Sequence, residues 1–192
     1  MGDRHERRAT PDARTTGDAA RQVRLVHTVL DTLDTLLDAP IQERLAVVAV
    51  HAATCVSAAA WRVSRVDEET VRSQRPEIIR PPKVGDGPTA PQGWAANYPL
   101  VTRPALAEAA EGSAFSVTLD TADPVEESAL AGTGFTSAVV AGGYDPDAHR
   151  WLLEIFGDES THETPAFAAV LLALVQAALG FPRAAAPSRA AS

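Results

Sequence analysis

The segment from Gly134 to Gly157 constrains the fold more than any other part of this chain. It contains two apolar runs, residues 135–140 and 151–156, separated by Gly142-Gly143 and Asp145-Pro146-Asp147. Apolar runs joined by a loop rich in Gly, Asp and Pro predict an antiparallel hairpin, with the first strand ending at the glycine pair. Because each run is nearly continuous instead of alternating, we expect two central strands that are covered on both faces.

Composition limits what the rest of the chain can be. The 192 residues, 45% of them hydrophobic, suit one domain with tails. The longest apolar stretch, residues 166–179, is shorter than the roughly 18 residues that a membrane span needs. The N-terminus lacks the apolar core of a secretory signal. A single cysteine, Cys55, allows no internal disulfide and no multi-cysteine metal site, so we expect a cytoplasmic protein.

The charge balance argues against one class of partner. The chain has 17 Lys and Arg residues against 25 Asp and Glu residues, a net charge of −8, and Lys83 is its one lysine. A protein that binds nucleic acid needs a basic surface, which this composition does not favour. We therefore expect no nucleic-acid partner.

Domain boundaries follow from polarity and periodicity. Residues 1–17 and 182–192 are predicted to be disordered tails, and residues 18–181 a single domain with an N-terminal helix at 18–39 and a core at 41–181. The first helix has an apolar stripe at heptad spacing, formed by Val23, Val26, Leu30, Leu33 and Leu37. A second apolar edge comes from Leu25, Val29 and Leu36. Either the helix packs on its own domain, or the heptad stripe is the seam of a homodimer.

The remaining pattern indicates an α+β domain with a mainly antiparallel sheet. The first predicted elements are a helix at 41–53, a strand at 55–65 in which Trp61 and Val63 alternate with Arg62, a short strand at 70–73 and an irregular segment at 75–97. They are followed by a helix at 104–111, a strand at 114–119 and a helix from Asp123 to about 131 that ends at Gly132. The hairpin and a final helix that starts at Thr164-Pro165 complete the chain of elements. The first and last helices are free to pack side by side.

Three stretches of these elements resemble the GAF domain, a sensory module of signalling proteins. They are LAVVAVHAATCVSAAAWRV, YPLVTRPALAEAAEGSAFSVTLDTADP and GFTSAVVAGG…HRWLLEIFGDE with the helix that follows it. The resemblance spans residues 45–179. It implies a GAF-like sheet with the terminal helices packed on one face and short helices and loops over the other, where a ligand pocket would lie. It also implies a non-catalytic protein that dimerises through its first and last helices.

The sequence departs from the better-known GAF subtypes. The NKFDE constellation of cyclic-nucleotide-binding members has no counterpart, and Cys55 does not lie where bilin-binding members attach their chromophore. A single cysteine also rules out the usual exchange of members that reduce free methionine sulfoxide. The resemblance therefore names no ligand, and we expect no cofactor.

Few residues indicate chemistry. The resemblance would place five aromatic residues around the pocket, namely Trp61, Trp94, Tyr98, Phe115 and Phe135. Either they line that pocket, or they are ordinary anchors of the core and of the loop. We interpret His51 and Cys55 as packed side chains, and Asp145, Asp147 and His149 as turn residues with no metal. The acidic cluster Asp120, Asp123, Glu126 and Glu127 is interpreted as a helix cap and a solvated face. No catalytic motif is present, so we predict that the protein is not an enzyme.

The sequence thus favours a bacterial, GAF-like regulatory protein in signal transduction. In this hypothesis it binds a small molecule or a partner protein, transmits the signal through a helical homodimer interface, and acts on a separate output protein. The alternative is a structural or adaptor dimer in which the protein's own side chains fill the pocket.

Overall fold

The computed structural model describes residues 13–80, 97–158 and 165–180. Five helices lie in these ranges: α1 (Ala13–Asp34), α2 (Ile41–Cys55), α3 (Pro104–Ala110), α4 (Pro124–Thr133) and α5 (Pro165–Leu179). The described ranges also contain six strands: β1 (Ala60–Asp67), β2 (Thr70–Ile78), β3 (Tyr98–Pro99), β4 (Ala114–Thr118), β5 (Ser137–Tyr144) and β6 (Arg150–Gly157). The irregular segment predicted at 75–97 therefore begins inside β2, and residues 81–96 lie outside the described part.

The six strands form one antiparallel sheet in the order β3-β2-β1-β6-β5-β4. The predicted hairpin is confirmed, since β5 pairs with β6 and β6 continues the sheet into β1. The prediction that Gly142-Gly143 ends the first strand is wrong, because β5 continues to Tyr144. A Cβ atom at Gly142 would lie 2.5 Å from the carbonyl oxygen of Trp151, so glycine here allows β5 and β6 to approach closely.

One face of the sheet, called the helix face below, is covered by α1, α2 and α5. Its side chains form a single apolar cluster with the three helices. From the sheet the cluster includes Trp61, Val63, Leu153 and Ile155, and from the helices Leu45, Val48, Leu171 and Leu174. This arrangement confirms that the first and last helices pack together on one side of the sheet.

The opposite face carries the alternate residues of the same strands. It is covered by a short 3₁₀ segment (Leu100–Thr102), by α3 and by the end of α4. Two smaller apolar clusters form there, one including Val117, Leu130, Phe135 and Phe156 and the other Val66, Leu106, Val140 and Leu152. The α+β class and the two-sided covering of the sheet are as predicted.

The first helix differs from its prediction in two ways. It spans 13–34 instead of 18–39, and a series of turns leads from it to Pro40. Leu33, predicted in the dimer seam, is buried in the domain with Leu25 and Val29. Val26 is half-buried against the same cluster. The remaining seam residues, Val23, Leu30 and Leu37, are 57%, 40% and 55% exposed. The predicted tails fall largely outside the described ranges.

Other boundaries shift because pairing and capping extend elements beyond their local pattern. Cys55 ends α2 and does not enter a strand, and β2 runs to Ile78 because it pairs with β1 along its length. Helix α4 ends at Thr133, where Gly134 takes the left-handed conformation with φ of 77°, and not at Gly132. Among the helices described, none combines the length and apolar character needed to cross a bilayer.

Candidate functional site

The structure separates the five aromatic residues predicted to line a pocket. Tyr98, Phe115 and Phe135 lie on the opposite face, where short helices cover the sheet. Trp61 lies on the helix face, because successive side chains of a strand point to opposite sides. Trp94 lies outside the described residues. The pocket prediction is therefore corrected for Trp61.

The centre of the opposite face is occupied by a buried ion pair. Arg62 of β1 stands directly across from Glu154 of β6 in the strand register. The guanidinium Nε and Nη2 donate to the two carboxylate oxygens of Glu154, each over 2.7 Å. Arg62 is 3% exposed and Glu154 is 1% exposed. Burial alone would lower the pKa of Arg62, but the charge and hydrogen bonds of Glu154 outweigh it and raise that pKa, so Arg62 stays charged.

Tyr98 lies over this pair and connects it to the next cation. Its ring centroid is 5.5 Å from the Cζ of Arg62 and 5.8 Å from the Cζ of Arg103. Nη2 of Arg62 also donates to the hydroxyl of Tyr98 over 3.3 Å. Burial raises the pKa of Tyr98 and the charge of Glu154 raises it further, against the opposing effect of the two arginines. The phenol is therefore held in its neutral form.

A second ion pair joins Arg103, which precedes α3, to Glu126 in the first turn of α4. Nε of Arg103 donates to Oε2 of Glu126 over 2.9 Å, and Nη2 of Arg103 contacts the same oxygen. The position of Glu126 follows from the predicted helix cap, because the carboxylate of Asp123 accepts hydrogen bonds from the backbone of Val125 and Glu126. Glu126 is buried, so its assignment to a solvated face is wrong.

Three polar atoms on or over the opposite face are buried and have no hydrogen-bond partner among the described residues. They are Oε1 of Glu126 and the hydroxyl oxygens of Ser64 and Ser73. Ser64 and Ser73 face each other across β1 and β2, and Ser64 lies two residues from Arg62 on the same side of the strand. Buried polar atoms are usually hydrogen-bonded in native proteins, so each of these three is a candidate contact for a bound water or a polar ligand.

The charged residues of this face were missed at the level of sequence. The available signal was Glu154, a single charge within the continuous apolar run of β6, and Arg62, a charge between the apolar Trp61 and Val63 of β1. Isolated charges of opposite sign on two central strands indicate a cross-strand pair, provided that the register is known. The sequence does not supply that register.

The loop between β5 and β6 brings Asp145, Asp147 and His149 together, with one candidate ligand atom of each within 4.8 Å of the others. The carboxylate of Asp145 already accepts hydrogen bonds from the backbone N–H groups of Asp147 and His149 and from the indole of Trp151, each over 2.9 Å. Burial opposes ionisation, but the hydrogen bonds from Trp151 and His149 lower the pKa of Asp145. Asp145 therefore stabilises the conformation of its own loop through these hydrogen bonds.

His51 and Cys55 lie on α2, away from the opposite face. Both are half-buried, and Cys55 packs against the apolar cluster of the helix face. Burial raises the pKa of the Cys55 thiol, which disfavours the reactive thiolate.

No family model and no curated protein matches this sequence, but solved structures do. The phycocyanobilin-bound GAF domain from a cyanobacterial phytochrome is 13% identical, with 82% of this chain and 91% of that chain covered and a TM-score of 0.60. The GAF domain of NLH2 from A. aeolicus in an inactive state is 10% identical, with 83% and 93% covered and a TM-score of 0.57. The chromophore-binding domain of the bacteriophytochrome RpBphP3 from R. palustris is 8% identical, with 82% and 59% covered and a TM-score of 0.61.

The chain therefore has a GAF-like fold, as the three resembling stretches predicted. At these sequence identities the likeness establishes the fold alone, and functional conclusions must come from the residues of this chain.

Proposed function

We propose that this chain is a non-catalytic, GAF-like regulatory module that binds a small molecule on the opposite face of its sheet. The observation that carries the proposal is Oε1 of Glu126, a buried carboxylate oxygen that lacks a donor among the described residues. Leaving such an atom unsatisfied costs about 1–3 kcal/mol or more, which a bound donor would recover. The GAF domains of similar fold, one of them bound to phycocyanobilin, support a sensory role.

The electrostatics of the site favour recognition over catalysis. General acid–base catalysis near neutral pH requires a group whose pKa lies near 7. The pKa values of Arg62, Arg103 and Tyr98 are all shifted upward, away from that range. These groups can hold and orient a ligand, but they are poor proton carriers at neutral pH.

The signal would leave through a homodimer. Val23, Leu30 and Leu37 recur every seventh residue on and just after α1 and remain exposed, as two copies packed along this line would require. Helix α1 contacts α2 and α5, so a ligand that favours one packing of these helices would shift the dimer between two states. A separate polypeptide would receive that change.

One observation favours the alternative of a structural or adaptor dimer. Phe135 and Phe156 are buried with their ring centroids 5.7 Å apart on the opposite face, and Phe115 packs nearby. These rings fill part of the space that a ligand would use. In this alternative the polar atoms hold ordered water only.

Native mass spectrometry and visible absorbance of the purified protein test ligand binding. We expect a co-purified species, or a thermal shift with at least one member of a metabolite panel, that is lost in Glu126→Gln. The matched control is Glu127→Gln, which changes an exposed neighbour on the same helix. A protein with no bound species and no thermal shift across the panel would favour the adaptor.

Light scattering tests the dimer. The double variant Leu30→Glu/Leu37→Glu should have half the mass of the unmodified protein, because charges would face each other across the seam. Val125→Glu, at an exposed apolar position on α4, should leave the mass unchanged. An unchanged mass in the double variant would reject this seam.

A further inference from the structure

We infer that the ligand of this face is an electrically neutral molecule that donates an N–H or O–H hydrogen bond to Oε1 of Glu126. This inference rests on the proposed small-molecule function and adds the chemical class of the ligand. It follows from the charges and from the unsatisfied atoms of the face.

The charges of the cluster already cancel. Arg62 pairs with Glu154, and Arg103 pairs with Glu126, so two positive groups face two negative groups. All four side chains are largely buried, where an additional unpaired charge loses its hydration without gaining a counter-ion. Among the described residues, a cationic ligand would face two arginines while both carboxylates already pair with them, and an anionic ligand would face two glutamates while both arginines are already paired. The cluster therefore selects against both.

The unsatisfied atoms define the polarity of the ligand. Arg103 directs both of its contacting nitrogens to Oε2 of Glu126 and leaves Oε1 as an acceptor. A carboxylate oxygen can only accept, so its partner must carry a donor. The hydroxyl groups of Ser64 and Ser73 can donate as well as accept, so they set no further condition on the polarity of the ligand.

Three aromatic probes of nearly equal shape and different charge test the inference: benzamide, which is neutral, benzamidinium, which is a cation, and benzoate, which is an anion. Each is titrated into the full chain and followed by saturation-transfer NMR. We expect benzamide to bind best, by roughly tenfold over either charged probe, the scale of one hydrogen bond to a charged group without a charge penalty.

Glu126→Gln should change this order. The substitution leaves Arg103 without its counter-charge, so benzoate should become the best ligand, while Glu127→Gln should keep the original order. The comparison of the three probes on the unmodified protein is decisive even if Glu126→Gln does not fold.

The outcomes separate this inference from the proposed function. Preference of the unmodified protein for benzoate or benzamidinium, or a co-purified ligand that is charged, would overturn the neutral-donor inference and leave small-molecule binding in place. Failure of all three probes to bind, with no co-purified species, would overturn both.

Discussion

The two faces of the central sheet are built from the same strands and are stabilised differently. On β1, Trp61 and Val63 enter the apolar cluster under the terminal helices, whereas Arg62 between them enters a buried ion pair. On β6, Leu153 likewise enters the apolar cluster of the helix face, and Glu154 enters the ion pair of the opposite face. One face depends on the volume of its side chains and the other also on the pairing of its charges.

This difference has an energetic consequence. Burying a large apolar side chain contributes about 1.5–3 kcal/mol, so the helix face supplies most of the stability. A buried ion pair contributes little net stability, because desolvation offsets the attraction between its charges. Two such pairs on the opposite face therefore add little to the free energy of unfolding beyond what apolar side chains of similar volume would add.

Breaking the central ion pair should have the largest effect. Glu154→Ala removes the carboxylate that accepts hydrogen bonds from Nε and Nη2 of the buried Arg62, and we expect a loss of about 3–5 kcal/mol in the free energy of unfolding. Urea denaturation measures it. The matched control is the double variant Arg62→Met/Glu154→Leu, which should recover most of the loss because it removes both charges. A double variant as unstable as Glu154→Ala would show that the pair is needed for stability after all.

The helix face should respond to volume instead. Leu171→Ala on α5 removes a fully buried side chain, and we expect a cost of about 2–5 kcal/mol, measured in the same way. Leu171→Met nearly conserves the volume and should cost less than about 1.5 kcal/mol. Equal costs for the two variants would mean that this face is not tightly packed.

Many of the individual elements could be predicted from local pattern. The hairpin, helix α2 and the cap at Asp123 each depend on residues that are close in the sequence. The α+β class followed from the order of these elements, and the resemblance supplied the placement of the terminal helices. Local periodicity also divided α1 into two edges, although it did not decide which edge the domain uses.

The opposite face was less predictable because its interactions join distant positions. Arg62 and Glu154 are 92 residues apart in the sequence, and only the strand register brings them together. The burial of Glu126 depends on where Arg103 lies, and the side on which Trp61 points depends on the alternation along β1. Charge and hydrophobicity of single residues do not determine these pairings.

The opposite face should also be sensitive to alkali. The pKa of Tyr98 in the folded protein lies above its ordinary value of 10.0, so its contribution to stability is fully present below pH 10 and declines as the pH rises toward the folded pKa. Above pH 10 we expect a loss of about 1.4 kcal/mol per pH unit from this group. Chemical denaturation at pH 9 to 11.5 measures the slope of the unfolding free energy against pH. In Tyr98→Phe this slope should be smaller by the contribution of roughly one proton. An unchanged slope would contradict the burial of this phenol.

The smallest expected effect is a loss of stability in acid that originates at Asp145, in the loop between β5 and β6. The pKa of Asp145 lies below its ordinary value of 3.8, so the stability it contributes is present above that value and is lost as the pH falls through the folded pKa. We expect the free energy of unfolding to fall by about 1 kcal/mol, the net contribution of a hydrogen bond such as that from the Trp151 indole.

Asp145→Asn should remove this acid dependence while retaining an acceptor, and the indole fluorescence of Trp151 reports unfolding. Asp147→Asn at the exposed neighbour should keep the dependence, since no side chain relies on its carboxylate among the contacts described. Acid sensitivity that persists unchanged in Asp145→Asn would contradict this assignment to Asp145.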